Sequence, residues 1–178
     1  MSLPPNRCIC THTLRAVFPL DLSRASPTAE SARGCTCARL RRLTRRITAV
    51  YDRELAAVGL RVTQYALLGA LHPRPGAAEE LTVSALAERM DMDRTTLTRN
   101  LKPLLERGWV SLAADPDDAR ARRVRLGAAG RAVFAAARPH WQRAQQQVNR
   151  TLGEPAVAAL HDWLDAVTPS FRPGADDA

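Results

Sequence analysis

The stretch Asp93-Arg-Thr-Thr-Leu-Thr-Arg-Asn-Leu-Lys102 carries three cations and three threonines in ten residues. At helical spacing, Leu97 and Leu101 share one face, and Arg94, Thr95, Thr98, Arg99 and Lys102 face the other way. An arginine fork bonds two acceptors on a guanine edge, and a threonine offers a hydroxyl or a methyl. Arg94, Thr95, Thr98 and Arg99 are therefore base-reading candidates on double-stranded DNA, and Lys102 is a phosphate contact. A second cationic cluster follows in Asp-Pro-Asp-Asp-Ala-Arg-Ala-Arg-Arg-Val-Arg, from Asp115 to Arg125. Arg120 lies nearest the tip of this segment, where a guanidinium would suit the negative potential of a narrow minor groove. Asp118 stands two residues before it and is expected to hold that guanidinium by a bidentate bond. Arg122 is a second donor, and Arg123 and Arg125 read as solvated charge on a strand face.

Both clusters need elements to aim them. In Leu-Thr-Val-Ser-Ala-Leu-Ala-Glu-Arg-Met, Thr82 caps a short helix holding Leu86 and Ala87. Asp-Met-Asp then turns, and Asp93 caps a second helix with Leu97, Leu101, Leu104 and Leu105 inward. Two short helices joined in this way predict a helix-turn-helix. Pro103 either bends the second helix or ends it early. After Gly108 the apolar period drops to that of a strand. Trp109 and Ser111 alternate with Val110 and Leu112, and Val124 and Leu126 alternate with Arg123 and Arg125, around a polar loop. That is a β-hairpin, and the whole is a winged helix.

Helices flank this module. Leu40, Leu43, Ile47, Tyr51, Leu55 and Val58 form one stripe of a helix over Cys35–Val58, with Gly59 as its C-cap. A second helix covers Thr63–Leu71, with Thr63 as N-cap. Val133, Phe134, Ala137, Trp141, Ala144 and Val148 line a helix over Ala128–Thr151, and Val157, Leu160, Trp163, Leu164 and Val167 line a shorter last one. These stripes need a partner surface and suggest a dimerisation region. The expected fold is mainly α with a small β-hairpin. Residues 1–33 form a flexible N-terminal extension, residues 34–168 the body, and residues 169–178 a flexible tail. Within the body, 34–59 and 128–168 are dimerisation helices and 60–127 the winged helix-turn-helix.

Composition agrees. The chain has 178 residues, is 46% hydrophobic but only 4% aromatic, and carries a formal net charge of +8, which favours a helical protein that meets a polyanion. No apolar run is long enough to span a membrane, and no signal peptide is evident, so a cytoplasmic protein is expected. A phosphate-binding glycine loop and a Gly-x-Ser-x-Gly elbow are both missing, and His12, His72, His140 and His161 are scattered. Neither an enzyme nor a cofactor is expected. Cys8-x-Cys10 and Cys35-x-Cys37 supply four thiols, but one intervening residue is too few for a structural zinc pair, so no metal is expected. Cys37 stands three residues before Leu40 on the apolar stripe and is expected to be buried in the dimer region. Cys35 points elsewhere, near a helix start and Arg39, a position that suits a reactive thiol.

The segments Tyr51–Leu71, Leu81–Val110 and Asp115–Gly130, in that order, resemble the MarR family of winged-helix transcriptional regulators. The family's wing carries Asp-x-Arg before its second strand, matched here by Asp118 and Arg120. Its usual Leu-Thr before the next helix is Leu126-Gly127 here, so a threonine cap is missing. The resemblance implies a homodimer on a pseudo-palindromic DNA operator, acting as a repressor and released by a small aromatic ligand or by cysteine oxidation. It places a ligand pocket between dimerisation helices and winged helix, with Tyr51, Tyr65, His140 and Trp141 as lining residues and Cys35 and Cys37 as redox candidates. A transcriptional activator of the same fold, or a winged-helix module for protein contacts alone, is the alternative.

Overall fold

The computed structural model describes residues 35–72, 80–118 and 120–171. The expectations for residues 1–33, with Cys8, Cys10 and His12, and for residues 172–178 lie outside the described residues. The described residues divide into two compact units, 41–147 and, separately, 35–40 with 148–171. Its elements are α1 (Thr36–Leu55), a 3-10 turn (Ala56–Val58), α2 (Val62–Leu71), β1 (Glu80–Thr82), α3 (Val83–Arg89), α4 (Arg94–Glu106), β2 (Val110–Ala114), β3 (Arg122–Leu126), α5 (Ala128–Leu152) and α6 (Glu154–Val167). A last 3-10 turn, Thr168–Phe171, covers the start of the segment expected to be a flexible tail.

The central unit is built on leucines. Leu55, Leu67, Leu68, Leu86, Leu97, Leu104 and Val124 are fully buried, and Leu60, Leu71, Leu101, Val110, Leu126 and Ala137 complete the core. Each such side chain contributes about 2 kcal/mol when removed from water. Ala87 is buried at the helix-turn-helix crossing, where a larger side chain would separate α3 from α4. The turn between them puts Asp91 at φ 49°, a left-handed conformation that aspartate tolerates. Its exit is fixed by the Met92 amide donating to the Ala87 carbonyl at 2.9 Å.

Local capping follows the side-chain chemistry. Thr82 accepts from the Ala85 amide at 3.0 Å and Asp93 from the Thr96 amide at 2.8 Å. Gly59 sits at φ 67° and ends the 3-10 turn after α1. Thr63 is not the cap of α2. Arg61 occupies that position, its amide donating to Gln64 Oε1 at 2.9 Å, while the Val62 amide donates to Asp52 Oδ1 at 2.8 Å. A residue from the preceding helix thus supplies the acceptor that a local threonine was expected to provide. Helix α4 runs unbroken through Pro103, so the early-ending alternative does not apply.

The hairpin is part of a three-stranded antiparallel sheet in the order β1-β3-β2. Val110 pairs with Leu126 and Ala114 with Arg122 across β2 and β3, and Glu80 pairs with Arg125 across β1 and β3. The third strand has three residues and no alternation of its own, so pairing with β3 defines it rather than local sequence.

One close approach joins the wing to α5. The Trp109 carbonyl accepts from the Gly127 amide at 2.9 Å, and a Cβ built on Gly130 would lie 2.1 Å from that same carbonyl oxygen. The neighbour is backbone held by its own hydrogen bond, so it has nowhere to go. Gly130→Ala is expected to cost at least about 2–3 kcal/mol through overpacking. Urea unfolding at fixed protein concentration checks this; an unchanged midpoint would show that the wing and α5 do not meet this closely.

Candidate nucleic-acid interface

The leucine stripe sets the rotation of α4 about its axis. Leu97, Leu101 and Leu104 are buried, so the opposite face carries Arg94, Thr95, Thr98, Arg99 and Lys102, all exposed. These five line one shallow groove along the helix, together with Leu105, which is expected inward but is only half-buried. The threonines differ in what their hydroxyls do. Thr96 donates to Asp93 Oδ2 at 2.5 Å, and Thr98 donates to the Arg94 carbonyl at 2.7 Å. Lys102 lies 3.9 Å from Glu106, an exposed pair one helical turn apart that contributes little and is easily exchanged for another anion. The Thr96 hydroxyl, and next its amide, hold the Asp93 carboxyl below the usual carboxylate range, which keeps the cap charged at the helix N-terminus.

The wing sorts its charges into pairs and free cations. Asp115 is buried, with Arg123 Nε donating to its Oδ2 at 2.7 Å and Arg123 Nη2 to its Oδ1 at 3.3 Å. Arg123 Nη2 also reaches Asp117 at 3.5 Å. Arg125 pairs with Glu80 on the neighbouring strand. Arg123, expected as solvated charge, is thus structural, whereas Arg125 keeps a mostly solvated side chain beside its Glu80 partner. Asp118 does not take the Arg120 side chain as expected. Its Oδ1 accepts from the Arg120 backbone amide at 2.9 Å, while the Asp118 carbonyl accepts from the Ala121 amide at 2.9 Å. A carboxylate two residues upstream of an amide closes an Asx turn readily, and this one shapes the loop. Arg120 and Arg122 remain exposed, and neither forms an ion pair among the described residues.

A corner locks α4 to the elements beside it. Arg107, just past its C-terminus, donates from Nη1 to the Gly59 carbonyl at 2.7 Å and lies over the Trp109 ring at 4.7 Å. Sequence reasoning missed this contact, because no local pattern links residues 59 and 107.

The candidate sensing residues fall into separate places. Tyr65 stacks on Phe134 at 4.8 Å and on Trp141 at 6.0 Å, and Tyr51 lies 6.5 Å from Trp141. The Tyr51 hydroxyl donates to Gln145 Oε1 at 2.6 Å. Burial pushes both tyrosine hydroxyls above their ordinary pKa, so they stay neutral donors. His140 is not part of the ring cluster: its Nδ1 faces Arg143 Nη2 at 2.6 Å. None of Tyr51, Tyr65, His140 and Trp141 lines the solvent-open cavity of about 690 Å³ bounded by Ala66, Gly69, Ala70, His72, Arg89, Met90 and Phe134. Cys35 and Cys37 are both exposed free thiols, so Cys37 is not buried within the subunit. Leu40 and Leu43, on the same stripe, are exposed as well. Among the described residues no group of histidines, cysteines and carboxylates is placed to hold a metal ion, and no helix is long and apolar enough to cross a membrane.

A helix-turn-helix with a cationic outer face, followed by a basic wing, defines a winged-helix regulator. Residues 58–121 match the family model described as MarR family. Similar solved structures include the Mycobacterium tuberculosis transcriptional regulator MosR in complex with DNA, at 35% identity and a TM-score of 0.66, covering 79% of this chain and 100% of that one. A mutant of MarR from E. coli complexed with operator DNA is 25% identical with a TM-score of 0.64, covering 73% and 91%. A probable transcriptional regulator from Pseudomonas aeruginosa is 27% identical with a TM-score of 0.65, covering 74% and 96%. Among curated proteins, no significant match is found. The chain belongs to the MarR family of winged-helix transcriptional regulators, and as such it is a regulator and not an enzyme.

The Asp115–Arg123 pair predicts a pH response. The hydrogen bonds from Arg123, and next from the Asp117 amide, hold the Asp115 carboxyl below the usual carboxylate range. A carboxyl whose folded pKa is depressed contributes stability that is fully present above its unfolded value, about 3.9, and is lost as pH falls through the folded value. Asp115→Asn should therefore be less stable than the wild type by a constant amount from about pH 5 to 8, with the gap closing below about pH 4. Urea melts across pH measure the gap, and a gap that widens in acid would reverse the assignment.

Proposed function

We propose that this protein is a sequence-specific, double-stranded DNA-binding repressor that acts as a homodimer on a pseudo-palindromic operator. The observation that carries the reading is the outward face of α4, where Arg94, Thr95, Thr98, Arg99 and Lys102 share one groove while the leucines behind them are buried. Arg94, Thr95, Thr98 and Arg99 read bases in the major groove, and Lys102 contacts phosphate. On the wing, Arg120 and Arg122 reach the adjacent groove and backbone, and Asp118 serves the site by shaping the loop that presents Arg120. The DNA and operator complexes of MosR and of the E. coli MarR mutant support the assignment. Residues 34–59 and 128–168 form the dimerisation region. Leu40, Leu43, Leu152 and Leu164 are each more than a third exposed in the single chain, which supports a second copy as their cover. Selection from random duplexes should enrich an inverted repeat with half-sites about 10 bp apart, centre to centre. Arg99→Ala should then relax preference at one position per half-site by about 1–3 kcal/mol. If no inverted repeat is enriched, specific operator binding is wrong.

Release by a small aromatic ligand or by cysteine oxidation completes the proposal. The cavity beside His72 and Phe134 supports the first, with Tyr65 and Trp141 stacked behind Phe134 and Tyr51 beside Trp141. His140 stands outside that stack, its Nδ1 against Arg143, and nothing in its contacts supports a role in the pocket. The exposure of Cys35 and Cys37 at the start of α1 supports the second. Peroxide attacked by the Cys35 thiolate yields a sulfenic acid and hydroxide, and condensation with a second thiol gives a disulfide and water. Peroxide should release the operator, thiol reductant should restore binding, and Cys35→Ser should not respond. Full operator binding by wild type shown by mass spectrometry to be oxidised at Cys35 would remove the switch.

A further inference from the structure

The hydroxyl of Thr98 has one hydrogen, and it is spent. Oγ1 donates to the Arg94 carbonyl one turn back, at 2.7 Å, the back-bond that a helical threonine makes to its own backbone. Outward, Thr98 therefore presents a methyl and a lone pair, and nothing that donates. The guanine edge in the major groove offers only the acceptors N7 and O6, so Thr98 has no polar partner there. A thymine–adenine pair offers the C5 methyl of thymine beside the amino group of adenine. Cytosine offers an amino group but no methyl. The surroundings favour the methyl contact, because the groove is lined largely by apolar surface and includes Leu105.

We propose that Thr98 reads one thymine in each half-site through methyl–methyl contact. Arg94 and Arg99, which carry only donors, divide the work by reading guanine. The inference rests on the DNA-binding reading above and adds the base that one position demands.

The test uses the full-length protein and its selected operator, with affinity measured by fluorescence anisotropy at one fixed salt concentration. Each thymine of a half-site is replaced in turn by deoxyuridine, which removes only the methyl. Loss of one methyl contact should weaken binding about fourfold per half-site, and roughly sixteenfold when both half-sites are changed. Thr98→Ser keeps the hydroxyl and drops the methyl, so it should bind thymine and deoxyuridine operators alike. Thr98→Val keeps a methyl and drops the hydroxyl, so it should retain the difference. Thr98 is exposed, and unchanged helix content and melting of both variants confirm that they fold. The proposal is overturned if no thymine shows a methyl effect, if Thr98→Ser keeps it in full, or if Thr98→Val loses it. An operator that is selected but shows any of these results leaves DNA binding intact and removes only the role of Thr98. A selection that yields no operator removes both.

Discussion

Everything on the outer face of α4 depends on the burial of its inner face. Leu97, Leu101 and Leu104 occupy positions 0, 4 and 7 of the helix, and they are at most 3% exposed. Rotating α4 by one residue would turn Thr98 and Lys102, or Thr96 and Asn100, toward the leucine core. Burying an unpaired ammonium or amide costs more than burying a leucine stabilises. The hydrophobic effect therefore acts here as an orienting force. It leaves two arginines, two threonines and a lysine facing outward without any of them being held from outside.

The wing reaches the same end by electrostatics. A loop with three aspartates and four arginines nearby has many pairings open to it. Tertiary geometry selects Asp115 with Arg123 and Glu80 with Arg125, and gives Asp118 to a backbone amide. Asp115 is the buried member, and a buried carboxylate needs its charge-assisted hydrogen bonds. Its demand is met by the arginine on the strand, which leaves Arg120 and Arg122 without a carboxylate in either ion pair. A wing whose aspartates paired at random would present less positive charge at the tip.

Between α4 and the wing lies the corner of Gly59, Arg107, Trp109, Gly127 and Gly130. Arg107 holds the end of the α1 segment, and the Trp109 carbonyl holds the start of α5. Helices outside the winged helix are thereby fixed to both ends of the segment that follows α4. Both contacts are made to backbone carbonyls, at 2.7 and 2.9 Å, which leaves little slack between these elements.

Sequence alone determined the elements whose signals are local. Apolar period, capping residues and turn residues marked helices α1 to α6 and the two wing strands, because each of these acts within a few residues. The list of cations and threonines on α4 was legible for the same reason. The tertiary structure decided what depends on residues far apart in the chain. Strand β1 exists because β3 offers it a pairing edge. Asp52 accepts from the first amide of α2, Arg123 pairs with the buried Asp115, and His140 turns to Arg143 away from the aromatic rings. Even within α4, composition offered Thr98 a hydroxyl and a methyl, and only the hydrogen bond to the Arg94 carbonyl takes the hydroxyl's hydrogen out of use. A side chain's chemistry is written in its residue type, but which of its groups remains available is settled by the partners that folding brings within hydrogen-bond reach.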